Sequence, residues 1–173
     1  MGKAIVSIIM GSDSDLPIMQ EAVKILGELG IPHECTIISA HRTPEKIFEF
    51  ASGLGDRGIE IVIAGAGGAA HLAGVTAALT LLPVIGVPIE SKSLGGVDSL
   101  YSTVQMPSGI PVATVAINGA KNAGLLAGQI LALKDEKVRK RLEDYRKNLK
   151  KEVEGKASKL QSLGYKSYLS NMK

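Results

Sequence analysis

A histidine and an arginine stand side by side at positions 41 and 42, in the segment TIISAHRTPEK. Imidazole titrates near neutral pH, which makes His41 the strongest general acid–base candidate in the chain. The guanidinium of Arg42 can hold a phosphate through two parallel hydrogen bonds. The pair therefore predicts a site where a phosphorylated ligand is bound and a proton is moved.

The flanking residues predict where this pair lies. Residues 36–38 (Thr-Ile-Ile) are typical of the buried end of a strand. Residues 43–45 (Thr-Pro-Glu) are typical of the N-cap, the first-position proline and the acidic first turn of a helix. His41 and Arg42 therefore occupy the joint between a strand and a helix, and we expect that joint at the rim of a sheet.

A second polar segment, GSDSD at residues 11–15, precedes another helical pattern. Free backbone N–H groups at a helix N-terminus favour an anion such as phosphate, and Ser12 and Asp15 could hydrogen-bond a ribose. The alternative is that Ser14 or Asp15 caps the helix, a common role for both residue types. Two neighbouring aspartates could also attract Mg²⁺, but no further carboxylate is expected beside them, so we predict no metal site.

A third segment, GAGGAAH at residues 65–71, lets the backbone approach a ligand closely. It is not a GxxxxGK[ST] phosphate loop, because no lysine follows, and this disfavours nucleoside triphosphate hydrolysis. It matches the dinucleotide fingerprint GxGxxG poorly, since Ala70 stands where the third glycine would be. His71 could line a ligand pocket or simply lie satisfied in the first turn of a helix.

Cysteine and histidine usage excludes other kinds of site. Cys35 is the only cysteine, so neither an internal disulfide nor a cysteine-based metal site is expected. The histidines at positions 33, 41 and 71 lack the i, i+4 spacing of a helical zinc pair. His33 follows a proline at a strand start and is expected at the surface. No Ser-His-Asp order stands out, which disfavours acyl-enzyme chemistry.

Short apolar runs alternate along the chain with segments of helical periodicity. Strands are predicted at about residues 4–10, 33–39, 59–67, 83–89 and 112–117, and helices at about 16–29, 44–57, 69–80, 97–105 and 119–132. The strands are apolar without alternation, which indicates a parallel sheet covered on both faces. Right-handed crossovers then give an α/β, three-layer, flavodoxin-like (Rossmann-like) fold with five parallel strands in the order 2-1-3-4-5.

The strand order determines where a ligand would bind. In an open parallel sheet, ligands collect beyond the carboxyl ends of the strands, at the point where the order reverses. The order 2-1-3 places that crevice between the first and third strands, where residues 11–15, 39–42 and 65–71 converge. The residues alone therefore predict an α/β domain that binds a small phosphorylated ligand, with a histidine that could act on it.

The last 40 residues form a separate, charged segment. They hold 13 Lys/Arg and 6 Asp/Glu, whereas the first 133 residues hold 7 and 11. The charges alternate along a solvated helical pattern, which we favour over nucleic-acid binding. A helix over about 135–163 would be roughly 40 Å long. Its apolar stripe favours a helical arm (134–173) that packs on neighbouring subunits, beside a catalytic domain at 1–133; docking on its own domain is the alternative.

Composition excludes two further classes. Aromatic residues make up only 3% of the chain, with no Trp, so platforms that stack single-stranded nucleic acid are not expected. No segment has the apolar length of a membrane span, and residues 1–3 lead directly into a strand rather than into a signal-peptide core. We therefore expect a cytoplasmic protein with no nucleic-acid or membrane partner.

Five segments follow one another between about residues 5 and 125: IIMGSDSD, SAHRTPE, AGAGGAAHLAG, PVIGVP and DSLYSTVQMPSGIPVATVAING. In this order they resemble the signatures of the N5-carboxyaminoimidazole ribonucleotide mutase family (PurE family, class I), the catalytic subunit of phosphoribosylaminoimidazole carboxylase. Five motifs in register are far more specific than any one of them. The tail helix is also similar to that of the family.

The resemblance implies a reaction of de novo purine biosynthesis. The carboxylate of N5-carboxyaminoimidazole ribonucleotide (N5-CAIR) would move from the exocyclic nitrogen to ring carbon C4, by decarboxylation and recarboxylation, and give CAIR. The resemblance also implies an isomerase without ATP, metal or organic cofactor, in a homo-octamer whose C-terminal helix packs across subunits. The alternatives are an aminoimidazole ribonucleotide (AIR) carboxylase that uses free CO₂, and a non-catalytic nucleotide-binding module of flavodoxin-like shape.

Site residues carry over from the family by motif. The resemblance implies that His41 is the acid–base group and that Ser14 and Arg42 hold the 5′-phosphate. The residues expected to bind substrate are Ser12, Ser14, Asp15, Ser39, Ala40, Arg42, Ala66, Gly67, Gly68, Ala70, His71 and Leu72. One departure occurs: the family's AAHLPG reads AAHLAG here, with Ala73 in place of proline, and we expect a slightly looser pocket loop.

Overall fold

Five parallel strands form one sheet in the computed structural model, which describes residues 2–172. The strands are β1 (Val6–Met10), β2 (His33–Ile37), β3 (Ile61–Gly67), β4 (Val84–Ile89) and β5 (Ala113–Thr114). The helices are α1 (Leu16–Glu28), α2 (Pro44–Ser52), α3 (Leu72–Leu79), α4 (Val97–Val104), α5 (Ala120–Leu131) and α6 (Glu136–Ser170). The strand order is β2-β1-β3-β4-β5, so the predicted flavodoxin-like topology is confirmed.

Helices cover both faces of the sheet. One face packs with α1 and α5 around a core that contains Ile8 and Ile25. The other face packs with α2 and α3 around a second core that contains Ile9 and Ile47. Burying one such side chain stabilises the fold by about 1.5–3 kcal/mol. Alternate residues of β1 enter opposite cores, which explains why its sequence is apolar at almost every position.

The register of the sheet brings the strand ends together. Met10 of β1 pairs with Ile37 of β2 on one side and with Gly65 of β3 on the other. Gly67, at the end of β3, pairs with Ile89, at the end of β4. Because all strands are parallel, the loops that follow β1, β2, β3 and β4 leave the sheet at the same edge.

β2 differs from the buried strand that its sequence predicts. Thr36 and Ile37 are exposed, with 51% of Ile37 accessible, and burial begins only at Ile38. β2 is an edge strand that pairs only with β1 among residues 2–172, so the helices on the two faces cover it incompletely. The prediction of burial is therefore wrong for Thr36 and Ile37, because edge position overrides the apolar pattern.

α2 and β5 are the clearest cases of elements that are shorter than predicted. α2 ends at Ser52 rather than near residue 57, and turns continue to Gly58, whose φ of +77° suits glycine. β5 is confined to Ala113 and Thr114, which pair with β4, although an apolar run extends over 112–117. Beyond β5, the Val115 N–H still donates to the Gly86 carbonyl oxygen of β4 at 3.0 Å, so the chain follows the predicted path for a short distance after the strand ends.

The C-terminal helix runs from Glu136 to an interruption at Gly164, which agrees with the predicted range of about 135–163, and it then continues to Ser170. Gly164 has φ 71° and ψ 155°, so two helices meet there within α6. Val138 and Leu142 are buried in the core beside α5, whereas Leu149 and Val153 are exposed. The start of α6 therefore docks on its own chain and the rest carries an uncovered apolar stripe. Within residues 2–172, no helix combines the length and apolar character needed to cross a membrane.

Candidate functional site

A cleft of about 610 Å³ opens at the carboxyl edge of the sheet, beside the point where the strand order reverses. The loops that follow β1, β2, β3 and β4 line it. His41 and all but two of the predicted substrate-binding residues belong to this lining. The two that do not are Ala70, which is 1% exposed and lies beneath the surface, and His71.

His41 lies on a short turn that the chain closes with its own side chains. The Thr43 N–H and hydroxyl both donate to the Ser39 carbonyl oxygen, at 2.9 Å each. Thr43 is the N-cap of α2 but does not cap it with its side chain, and Pro44 opens the helix as the sequence predicts. This closed turn holds His41 at the rim of the cleft, where it is exposed to a ligand.

His71 lies outside the cleft lining but contacts His41 directly. His41 Nε2 and His71 Nδ1 are 2.8 Å apart, and the two rings are nearly perpendicular at 84°. His71 is the residue immediately before α3, so a second element orients the imidazole that the turn after β2 delivers. Sequence reasoning placed both histidines at the crevice, but it did not pair them.

Arg42 is held by two fixed acceptors at the edge of the sheet. Its Nη2 donates to the Gly11 carbonyl oxygen at 2.9 Å, and its Nε donates to Ser39 Oγ at 3.2 Å. The guanidinium therefore connects the loop after β2 with the loop after β1. A guanidinium carries five N–H donors, so this anchoring leaves donors for an anion in the cleft.

The loop at 11–15 forms a capping box around a short 3-10 turn. Ser12 Oγ accepts a hydrogen bond from the Ser14 N–H, and Asp15 Oδ2 accepts one from the Ser12 N–H at 3.1 Å. The Asp15 N–H donates to the Ser12 carbonyl oxygen at 3.2 Å. Asp15 is the N-cap residue of α1, as one of the alternatives predicts, but neither its side chain nor that of Ser14 makes a capping hydrogen bond to this helix. The N–H groups expected to be free for an anion are instead largely occupied within the loop.

Asp15 lies at the floor of the cleft and is only 7% exposed. Burial raises the pKa of its carboxyl above the ordinary value, and the negative charge of Asp13 acts in the same direction. Hydrogen bonds from the backbone at Ser12 and Gly11, together with the positive charge of Arg42, offset part of this rise in pKa. The carboxylate is therefore a partly desolvated acceptor that suits a sugar hydroxyl.

The glycine loop, defined here as residues 65–71, has two distinct parts. Gly65 belongs to the core, where a side chain would collide with Met19. Gly68 is in the cleft and has φ +69°, a conformation that glycine adopts without strain. Its N–H donates to Ser99 Oγ at 2.8 Å, so this N–H is not available to a ligand.

One backbone donor of the glycine loop is unengaged. The N–H groups of Ala70 and His71 donate to carbonyl oxygens two residues earlier, at 2.9 Å each. The Ala69 N–H has no hydrogen-bond partner among residues 2–172, and Ala69 lines the cleft. The sequence predicted a set of backbone donors for a carboxylate, and the structure offers this one in the loop.

Sequence reasoning missed the fourth loop of the cleft, residues 89–92, which follows β4. The Glu90 N–H donates to Asn118 Oδ1 at 2.9 Å, and Asn118 Nδ2 donates to Glu90 Oε2 at 3.1 Å. Asn118 has φ +59°, a conformation that non-glycine residues rarely adopt. The rule that placed the other three loops could have found this one, because β4 is adjacent to β3.

The cleft combines a basic residue for an anion, an acidic acceptor and an imidazole pair. Arg42 and Lys92 carry positive charge on opposite sides, from the loops after β2 and β4. Within residues 2–172, no group of three or more His, Cys, Asp or Glu side chains is placed to hold a metal ion. The arrangement can bind a phosphorylated, hydroxyl-bearing ligand and exchange a proton with it through His41.

Comparisons with known proteins show what the chain is similar to. The model of the family described as AIR carboxylase matches residues 5–152. An N5-carboxyaminoimidazole ribonucleotide mutase of Pyrococcus horikoshii is 62% identical over 168 residues, covering 97% of this chain and 95% of that protein. One of Thermotoga maritima is 58% identical over 165 residues, covering 95% of this chain and 96% of that protein. The crystal structure of Treponema denticola PurE matches with a TM-score of 0.82 at 32% identity, covering 90% of this chain and 97% of that one.

Proposed function

The chain belongs to the AIR carboxylase family, and on this premise we propose that it converts N5-CAIR into CAIR in de novo purine biosynthesis. The enzyme is an isomerase, because the carboxylate leaves one atom of the substrate and returns to another. The observation that carries the proposal is the placement of His41 and Arg42 in one cleft with the loop at 11–15 and the glycine loop. This cleft provides one site for each part of the ribonucleotide.

The substrate is oriented by its phosphate and its ribose. Arg42 and the Ser14 hydroxyl bind the 5′-phosphate; this assignment is supported by the hydrogen bond from Arg42 to Gly11, which belongs to the same loop as Ser14. Ser12 and Asp15 accept or donate hydrogen bonds to the ribose, and the buried carboxylate of Asp15 is a strong acceptor there. The aminoimidazole ring then lies between His41 and the glycine loop, with Ser39, Ala40, Ala66, Gly67, Gly68 and Leu72 around it.

A single imidazole accounts for both proton transfers. Protonated His41 donates a proton to the exocyclic nitrogen, the N–C bond of the carbamate breaks, and CO₂ and AIR result. C4 of AIR, an enamine carbon, then attacks CO₂ and forms the new C–C bond. Neutral His41 removes the proton from C4, which restores aromaticity and returns the imidazole to its starting state.

The cleft must retain CO₂ between the two steps. Holding CO₂ beside C4 replaces a bimolecular encounter, and well-oriented intramolecular reactions gain about 7–11 kcal/mol at most from this effect. The Ala69 N–H supplies a hydrogen bond to the carboxylate as it leaves and as it forms. The reaction is redox-neutral and conserves every atom of the substrate, so the proposal includes no metal, ATP or organic cofactor.

The proposal includes an oligomer and a location. The exposed stripe of α6, including Leu149 and Val153, supports packing of the arm (134–173) on neighbouring subunits, with an octamer as the expected assembly. The catalytic domain is then residues 1–133. A cytoplasmic location follows from the chemistry, because a phosphorylated substrate is retained inside the cell by its charge.

The decisive experiment compares two substrates. Purified enzyme is incubated with N5-CAIR in CO₂-depleted buffer, and in parallel with AIR plus bicarbonate, while formation of CAIR is followed by ultraviolet absorbance. We expect rapid conversion of N5-CAIR and much slower carboxylation of AIR. Faster use of AIR plus bicarbonate would assign the chain to direct carboxylation instead. Binding of the nucleotides without turnover would indicate a non-catalytic module.

A further inference from the structure

Ser99 connects two loops of the cleft without lining the cleft itself. It lies on α4 and is completely buried, at 0% exposure. Its hydroxyl accepts a hydrogen bond from the Gly68 N–H at 2.8 Å and donates one to the Ile89 carbonyl oxygen at 2.6 Å. Gly68 and Ile89 both line the cleft, one from the glycine loop and the other from the end of β4.

We propose that Ser99 is a positioning residue for the carboxylate transfer: its buried hydroxyl fixes the peptide of Gly68 and thereby sets the glycine loop against the reacting ring. The inference rests on the proposed function, because it assigns the loop to the carboxylate end of the substrate. Ser99 does not contact the substrate in this arrangement. It acts through Gly68 and through the Ala69 N–H that follows.

The geometry of two successive peptides explains how the effect is transmitted. The Gly68 carbonyl oxygen accepts the Ala70 N–H at 2.9 Å and lies 3.4 Å from Ser102 Oγ. The Gly68 C=O and the Ala69 N–H belong to one planar trans peptide and point in opposite directions. Hydrogen bonds that fix this oxygen therefore also fix the direction of the Ala69 N–H. Ser99 fixes the preceding peptide, and the φ of +69° at Gly68 joins the two.

Helix α4 also holds the loop that follows β4. Ser91 Oγ donates to Asp98 Oδ1 at 2.6 Å, and Asp98 precedes Ser99 on the helix. The two loops at the β3–β4 side of the cleft therefore depend on one helix. The phosphate side does not, because Arg42 is anchored on Gly11 and Ser39. Loss of the Ser99 hydroxyl should therefore disturb the positioning of the reacting end of the substrate and leave binding of its phosphate unchanged.

The test is Ser99→Ala, with Thr103→Val as the matched control. Thr103 is a buried residue one turn later on α4, and its hydroxyl donates only to the Ser99 carbonyl oxygen, at 2.8 Å. We expect kcat for N5-CAIR to fall by about 10- to 100-fold in Ser99→Ala, the range for a misplaced reacting geometry. The KM, and the inhibition constant of ribose 5-phosphate, should stay within about threefold of wild type, since these report binding. Thr103→Val should retain its kcat.

The outcomes separate this inference from the function on which it rests. An unchanged kcat in Ser99→Ala, or an equal loss in Thr103→Val, would overturn the inference alone. Absence of turnover in the wild-type enzyme would overturn both. If Ser99→Ala does not fold, Gly68→Ala replaces it, because a Cβ there meets nothing within 4 Å yet strains the φ of +69°. A normal kcat in that variant would equally overturn the inference.

Discussion

His41 and His71 form a hydrogen-bonded pair at the rim of the cleft, with Nε2 of His41 2.8 Å from Nδ1 of His71. One ring must donate and the other accept, so the tautomers of His41 and His71 are coupled. The pair joins the turn after β2 to the start of α3. The orientation of the acid–base group therefore depends on two elements that are distant in the sequence.

His41→Asn should abolish turnover while substrate binding largely survives. A general acid–base typically contributes about 10²- to 10⁴-fold to a rate, and His41 is assigned both proton transfers. Steady-state absorbance assays give kcat, and calorimetry with CAIR gives affinity. His33→Asn is the control, because His33 lies outside the cleft lining. Strong residual activity in His41→Asn would remove this residue from its assigned role.

His71→Phe should lower kcat with little change in KM. The substitution removes the hydrogen-bond partner of His41 but keeps a ring of similar size at the start of α3. Loss of a hydrogen bond to a charged group costs about 1.5–3 kcal/mol, which corresponds to about 10- to 100-fold in rate. His71→Asn, which retains a polar side chain, should recover part of the loss. A variant that loses affinity rather than kcat would instead indicate that His71 binds the substrate.

Arg42→Ala should mainly weaken binding. Removing one charge-assisted contact to a phosphate costs about 1.5–3 kcal/mol, so KM should rise about 10- to 100-fold. The kcat at saturating substrate should fall much less, because Arg42 is assigned to the phosphate and not to the reacting atoms. Arg139→Ala, a substitution on α6 outside the cleft, serves as the control. Unchanged affinity in Arg42→Ala would refute the phosphate assignment.

Asp15→Asn should stabilise the fold at neutral pH even as it impairs the reaction. Burial raises the pKa of Asp15 in the folded chain, so the unfolded chain releases this proton at lower pH. Stability from this group therefore falls as pH rises from the unfolded to the folded pKa, and at pH 7 the ionised carboxylate is a net cost. Relieving such a cost typically gives about 0.5–2 kcal/mol, or a few degrees in melting temperature.

The pH dependence supplies the control for that prediction. The gain in melting temperature should be present at pH 7 and should shrink below about pH 4, where the wild-type carboxyl is protonated in both states. Glu49→Gln, an exposed change on α2 away from this loop, should leave the melting temperature almost unchanged. A loss of stability at pH 7 in Asp15→Asn would show that the carboxylate is stabilised by its hydrogen bonds more than burial disfavours it.

Much of the site could be predicted because parallel strands deliver their loops to one edge. The segments at 11–15, 39–42 and 65–71 have distinct compositions, and the strand order alone places them together. The segment at 89–92 obeys the same rule, but it contains no glycine or histidine that would mark it as part of a site, so the sequence analysis does not include it. Fold class was accessible for the same reason, since central parallel strands are apolar on both faces.

Other features depend on hydrogen bonds that a sequence does not specify. The hydrogen bond from the Gly68 N–H to Ser99 Oγ connects positions 31 residues apart, and nothing in the local sequence pattern indicates it. The exposure of Ile37 depends on its place at the edge of the sheet, which is a property of the whole topology. Local propensity predicted the helices and strands. Tertiary packing determined which hydrogen-bonding groups were left available to a ligand.

The capping box at Ser12 and Asp15 has a consequence for how the ligand is received. Because the N–H groups of Ser12, Ser14 and Asp15 already donate to acceptors within this loop, the phosphate end of the cleft is preorganised before any ligand arrives. A flexible anion-binding loop would lose conformational entropy when the ligand binds, whereas this loop has already lost it during folding. The binding energy between the phosphate and Arg42 can then be used to position the ring against His41. Interactions at that place accelerate the reaction most, because they stabilise the transition state.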